Sequence, residues 1–319
     1  MDRVRRRSRF LIAAAGFALV LGAARAEIFA PPLRAIRWLA PGADAASILT
    51  RRPLECLKVP ADPEAAYLVE VGRAAFRDPL LLGGQAARAG VACETCHRNG
   101  RTNPDFDFPG VSGAPGTADV TSFVFSSHRG DHTFDPKPIP DLGGPKASLK
   151  VSQAPDSPAL KIFIRGLVTE EFDGAPPPEA VLEALAAYVR TLSPAACAGS
   201  GLEPQTASDA IADVRRAVTA AQGALSRHDP ATATVMIQAA RASLGNLAER
   251  YDGPTLAPER RLLADAALDL ARIAGPDASL RLAAWIARSG DWEAPILNHE
   301  AGSLYNPLRL AGALRHGRG

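Results

Sequence analysis

The pentapeptide Cys93-Glu94-Thr95-Cys96-His97 constrains this chain more than any other stretch. Two cysteines three positions apart, with a histidine directly after the second, have the spacing of covalent c-type haem attachment. Each thiol adds to one haem vinyl group to form a thioether, and two intervening residues match the separation of the vinyls. The imidazole of His97 then lies beneath the ring as the proximal axial ligand of the iron. The expected cofactor is therefore one covalent haem c, bound through Cys93, Cys96 and His97. A thioredoxin-like redox pair would follow a buried strand, and no strand pattern precedes Val91. A zinc site would need a second ligand pair, and Cys56 and Cys197 stand singly.

Residues 1–26 read as a removable export signal. Arg3, Arg5, Arg6, Arg7 and Arg9 form a basic start, Phe10–Leu21 an apolar stretch, and Ala24-Arg25-Ala26 a small-residue cleavage site before Glu27. The apolar stretch is too short to span a bilayer comfortably, so no transmembrane anchor is expected after cleavage. Six arginines and one aspartate leave with this segment, so a chain of net charge +2 becomes one of −3. That balance excludes an electrostatic case for nucleic-acid binding. Haem is joined covalently only after translocation, so signal and motif together predict a periplasmic protein.

The oxidising compartment bears on the remaining two cysteines. Cys56 lies shortly before the motif region and Cys197 shortly after it. A Cys56–Cys197 disulfide would staple the two ends of that region; two free buried thiols are the alternative.

In chain order, residues 27–59 are proline-rich and aperiodic, which predicts an extended arm with a short helix around Ala43–Thr50. Asp62-Pro63-Glu64 is a helix start, and Ala65, Leu68, Val69, Gly72 and Phe76 fall on one face. Between Arg98 and Pro158, Gly, Pro, Asp, Ser and Thr dominate, predicting a long functional loop. Order resumes at Leu160–Leu167, and Glu179–Leu192 reads as an amphipathic helix with Val181, Leu182, Leu185, Tyr188, Val189 and Leu192 on its apolar side.

At these residues the chain resembles the class I cytochrome c fold, in which a first helix crosses a last helix and the haem motif follows the first. Gly72 and Phe76 match the small-plus-aromatic contact of that first helix, and Ala184–Leu192 resembles the closing one. More narrowly, Gly72–Leu80, the motif, and Glu171–Pro177 look like domains of the bacterial di-haem cytochrome c peroxidase and MauG group. The resemblance covers about residues 56–200. Members of that group carry two haem motifs and this chain has one, so it implies the haem domain but not peroxidase activity.

Class I cytochromes usually place a downstream methionine on the far side of the iron. Here the methionines are Met1, in the signal, and Met236, beyond the haem region. His128 or His132 is then the candidate distal ligand; the alternative is that both are exposed loop residues and the iron is five-coordinate. In that case Arg129 could face a bound peroxide or gas. Lys137 or Lys146 could neutralise a haem propionate.

Beyond Pro204, Ala, Leu and Arg dominate. Helices are expected from Ser208 to Arg227, Asp229 to Tyr251, Ala257 to Ala274 and Pro276 to Ser289, joined by short turns as an antiparallel bundle. A tetratricopeptide array lacks its signature here. His228, His299 and His316 are isolated, and His299 beside Glu300 is one pair, not a metal site. Trp292–Leu310, with Trp285 just before it, is expected to dock on the haem region or on a protein partner.

The sequence thus predicts an all-α protein: signal peptide 1–26, arm 27–59, monohaem cytochrome c domain 60–198 and helical domain 205–319. The expected function is electron transfer with a periplasmic redox partner protein. The alternative is a MauG- or peroxidase-like oxidoreductase with an open distal site and an external electron donor.

Overall fold

Asp62 accepts a hydrogen bond from the Ala65 amide at 2.8 Å, Pro63 occupies the first turn, and helix α2 (Pro63–Ala75) follows, as the sequence predicts. The computed structural model describes residues 33–316 apart from Arg129, Ala198 and Ser200; the side chains of Ala147 and His316 are also outside it. The signal segment and the reading of Arg129 lie outside the described residues.

Before α2 come a 3₁₀ turn at Arg34–Trp38 and helix α1 (Ala45–Leu49), capped by Asp44. After it come α3 (Gly84–Ala89), α4 (Cys93–Cys96), α5 (Ala159–Gly166) and α6 (Glu179–Thr191). The second half holds α7 (Ala207–Ser226), α8 (Pro230–Arg250), α9 (Ala257–Ala271), α10 (Ala278–Ala287), α11 (Gly290–Asn298) and α12 (Pro307–His316). Three two-stranded antiparallel ribbons complete the chain. They pair β1 (Arg51–Pro53) with β6 (Leu202–Pro204), β2 (His97–Arg98) with β3 (Arg101–Thr102), and β4 (Thr117–Ala118) with β5 (Lys137–Pro138). The fold is thus mostly helical.

Helices α2 and α6 cross at Gly72, where a β-carbon would stand 1.9 Å from the Ala184 carbonyl oxygen, so only glycine allows the approach. Phe76 and Tyr188 meet edge-on beside the crossing, 5.1 Å between centroids. The apolar surface of α2 is wider than the single face its sequence suggests. Val71 and Ala74 are buried as well as Val69, Gly72 and Ala75, because α7 and α8 pack on the side that α6 leaves open. One continuous core consequently runs from Val69 and Leu185 to Leu244 and Trp292, through both halves of the chain.

Cys56 and Cys197 form a disulfide, and the β1–β6 ribbon closes the same neck of the chain beside it. Helix α7 opens on a capping box, in which the Thr206 hydroxyl accepts from the Asp209 amide at 3.2 Å and Asp209 accepts from the Thr206 amide at 2.9 Å. The three-residue turn to α8 folds the pair into a hairpin, with His228 at φ +57°.

The region expected to dock as Trp292–Leu310 holds α11 and the start of α12. Trp292 stacks obliquely on Trp285, 6.1 Å apart, inside the bundle. Leu304 and Leu310 join Leu33, Ala45 and Leu49 in a small second core, so the C-terminal end lies against the N-terminal arm.

Candidate functional site: the cavity beside Cys93, Cys96 and His97

Helix α4 is a single turn, with the Ala92 amide donating to the Thr95 hydroxyl at 3.0 Å. One turn brings Cys93 and Cys96 to the wall of the same cavity. Directly after it, Asn99 and Gly100 take φ of +50° and +73° and close the β2–β3 hairpin, the geometry that an Asn-Gly pair favours. That hairpin fixes His97, the first residue of β2. Asn103 secures the turn from the other strand, its side-chain amide donating to the Thr95 carbonyl at 2.8 Å and its backbone amide to the Cys96 carbonyl at 3.0 Å.

His97 Nδ1 lies 3.0 Å from the Pro140 carbonyl oxygen. A carbonyl can only accept, so Nδ1 carries the proton and Nε2 keeps its lone pair. Burial lowers the His97 pKa to about 4, against the Pro140 hydrogen bond and the Asp141 charge that raise it, so the ring is neutral at physiological pH. Burial also pushes the Cys93 and Cys96 thiols up to about 12. Both are free thiols. Among the described residues no three His, Cys, Asp or Glu side chains gather as a metal cluster.

The cavity measures about 700 Å³. Phe76, Leu82, Val91, Ile139, Leu160, Phe163, Ile164, Leu167, Val168, Phe172 and Leu185 give it an apolar wall, drawn from α2, α5, α6 and the long loop after β3. Residues 118–121, 135, 137–140, 142, 148–151 and 153 of that loop line it, so the long loop after the motif forms part of the wall. Asp131, Asp135, Lys137, Lys150 and Glu171 add charge at the wall, and Lys137 pairs with Asp135 at 3.0 Å. The dimensions, the two thiols on one wall and the free imidazole nitrogen beside them fit a haem. Cys93 and Cys96 could hold its vinyl carbons and His97 Nε2 its iron.

The other residues singled out by the sequence lie elsewhere. Neither His128 nor His132 lines the cavity. The His128 side chain is largely exposed, with Nε2 3.9 Å from Asp173 Oδ1. His132, at φ +61°, meets the ring of Phe123 edge-on at 4.8 Å. Lys146 turns to protein carbonyls, donating to Leu142 and Val189 at 2.8 Å each, the latter near the end of α6. Met236 is fully buried in the bundle. His299 bonds Glu259 at 2.6 Å rather than Glu300, which accepts from the Ala207 amide.

Sequence reasoning reads Asp135–Leu142 as a stiff segment crossing the haem edge but misses the bond of its Pro140 carbonyl to His97, and misses the hairpin at Asn99-Gly100. The Asn-Gly dipeptide is a strong two-residue hairpin signal and could have placed His97 on a strand. Nothing in Pro138-Ile139-Pro140 announces that its last carbonyl would face a histidine 43 positions earlier.

No helix among the described residues is long and apolar enough to cross a membrane. No protein-family model, curated protein or solved structure matches the chain.

Proposed function

We propose that this is an exported monohaem c-type cytochrome, with a class I-like haem region, that transfers electrons in the periplasm. The observation that supports it best is the pairing of His97 Nδ1 with the Pro140 carbonyl, which leaves Nε2 its lone pair on a histidine that lines a large apolar cavity together with Cys93 and Cys96. A haem bound there supplies an iron that changes between ferric and ferrous states. Cys93 and Cys96 would hold it as thioethers, each S–H adding across one vinyl double bond with sulfur on the inner carbon and hydrogen on the outer. His97 offers its lone pair, and Pro140 holds the ring in the tautomer that has one. The apolar wall keeps water from the buried site and lowers the dielectric around it. The Cys56–Cys197 disulfide supports an oxidising compartment.

The test is export of the chain in a host with haem-maturation machinery, followed by denaturing electrophoresis and a haem stain. Haem that stays with the polypeptide, and is lost in Cys93→Ala/Cys96→Ala, is the expected result. A folded, exported chain without covalent haem would sink the proposal.

A second reading, an oxidoreductase with an open distal position and an external electron donor, is favoured by one observation. Among the described residues lining the cavity, His97 is the one histidine and no methionine joins it. Cyanide and carbon monoxide separate the two readings: ready binding favours the oxidoreductase, and a low-spin spectrum that neither ligand moves favours the carrier.

A further inference from the structure

The Pro140 carbonyl that faces His97 is held from the strand paired with His97. In the β2–β3 ribbon His97 stands opposite Thr102. Thr102 and its neighbour Arg101 reach over to the residues on either side of Pro140. The Thr102 hydroxyl donates to the Ile139 carbonyl at 3.0 Å. The Arg101 guanidinium meets the Asp141 carboxylate with two nitrogens, Nε at 2.8 and 2.9 Å from its two oxygens and Nη2 at 2.8 Å from Oδ2. Pro138 and Pro140 carry no N–H, so this stretch has few backbone donors with which to anchor itself. The Ile139 amide donates to the Gly116 carbonyl at 3.0 Å and the Gly143 amide to that of Gly100 at 3.1 Å. The Gly143 amide also donates to Asp141 Oδ1 at 2.9 Å, so Asp141 closes the turn after Pro140 as well as binding Arg101.

Arg101 is itself closely placed. Its Nη1 donates to Cys56 Sγ at 3.0 Å, and a β-carbon on Gly143 would stand 3.1 Å from its Cδ. A planar fork that keeps two nitrogens on one carboxylate fixes direction as well as distance. The contacts form a closed circuit. His97 is joined through the ribbon to Thr102 and Arg101, these to Ile139 and Asp141, and Pro140 between them returns to His97 Nδ1 at 3.0 Å.

We propose that Arg101, acting through Asp141, is a positioning residue for His97: it keeps the Pro140 carbonyl on Nδ1 and thereby the lone pair on Nε2. An acceptor held on the Nδ1 proton makes the other ring nitrogen more basic. The tautomer is a property of the chain alone. The effect at an iron rests on the cytochrome reading: a more basic Nε2 favours the ferric state, so the brace lowers the reduction potential. Charge acts in the opposite direction at Arg101, because removing a cation near the iron favours the ferric state as well. The two effects are therefore separable by sign.

The exported full chain is purified and stained for covalent haem, and either result leads to a decisive measurement. With haem present, redox titration compares the parent with Arg101→Gln and Arg101→Lys. Arg101→Gln is expected to shift the potential to a more positive value, against the sign that loss of its charge would give. Arg101→Lys keeps the charge and loses the fork, so charge alone predicts no shift and the brace a positive one. It decides the matter if Arg101→Gln does not fold. A more negative or unchanged potential in Arg101→Gln, or an unchanged one in Arg101→Lys, overturns the proposal. With no haem present, the cytochrome reading fails, and nitrogen NMR of the histidine rings reads the tautomer at neutral pH, His97→Gln identifying the His97 signals. The parent is then expected to hold His97 in the Nδ1–H form alone, and both Arg101 variants to mix it with the Nε2–H form. A parent in the Nε2–H form, or variants that keep the parent pattern, overturns the role of Arg101.

Discussion

Gly72 and Ala184 bring their backbones together so closely that a β-carbon on Gly72 would stand 1.9 Å from the Ala184 carbonyl oxygen and 2.9 Å from the Leu185 amide nitrogen. The obstacle is backbone on a packed helix, so it cannot rotate away. Gly72→Ala is expected to push α6 off α2 and to cost about 3 kcal/mol, the upper end for overpacking. Urea denaturation of variant and parent measures it, and an unchanged midpoint would contradict the close approach.

Glu55 carries a pH dependence. Burial raises its pKa, but the Arg77 and Arg73 guanidinium groups and the Tyr188 hydroxyl, 2.7 Å away, outweigh burial and bring it from 4.5 to about 2. The folded value lies below the unfolded one, so the stability it contributes is complete above pH 4.5 and is lost as pH falls toward 2. The shift corresponds to at most about 3 kcal/mol. Glu55→Gln should therefore lower stability at neutral pH and flatten the acid limb in that window. A variant whose acid limb runs parallel to the parent's would refute the assignment.

The Cys56–Cys197 bridge closes a loop with a sequence separation of 141. In the chain-entropy account such a loop contributes about 5 kcal/mol, an upper figure because strain and residual structure reduce it. Cys56→Ser/Cys197→Ser should lower the thermal midpoint strongly, and reductant should do the same to the parent alone. Insensitivity of the parent to reductant would show that the bridge does not form.

His128→Ala and His132→Ala, singly and together, should leave the absorption spectrum of the haem-loaded chain unchanged, because neither residue lines the cavity. A switch from low spin to high spin in either variant would restore a distal histidine. His97→Ala, by contrast, should disturb the spectrum in every state.

The parts that were legible in the sequence are those governed by local chemistry. Asp62-Pro63 and Asp229-Pro230 announce their helices through cap and first-turn preferences, and the apolar spacing of Val181 to Val189 orients α6. Cys56 and Cys197 were paired from compartment and position alone. What sequence periodicity could not convey was partnership at a distance. The second buried side of α2 depends on helices more than a hundred residues downstream, and the small residues Gly72, Ala74 and Ala75 give no strong periodic signal for it. At the site, the motif named Cys93, Cys96 and His97. The distal expectation rests on proximity in sequence, whereas His128 and His132 lie beside Asp173 and Phe123 and are not among the residues lining the cavity.

Helix α2 serves two neighbours at once, with α6 on one side and α7 and α8 on the other. A chain stopped just after Cys197 would therefore expose to water a strip of Val, Ala and Tyr surface that full-length protein never shows. The first two hundred residues are not a detachable cassette that could be grafted onto another protein with their properties intact.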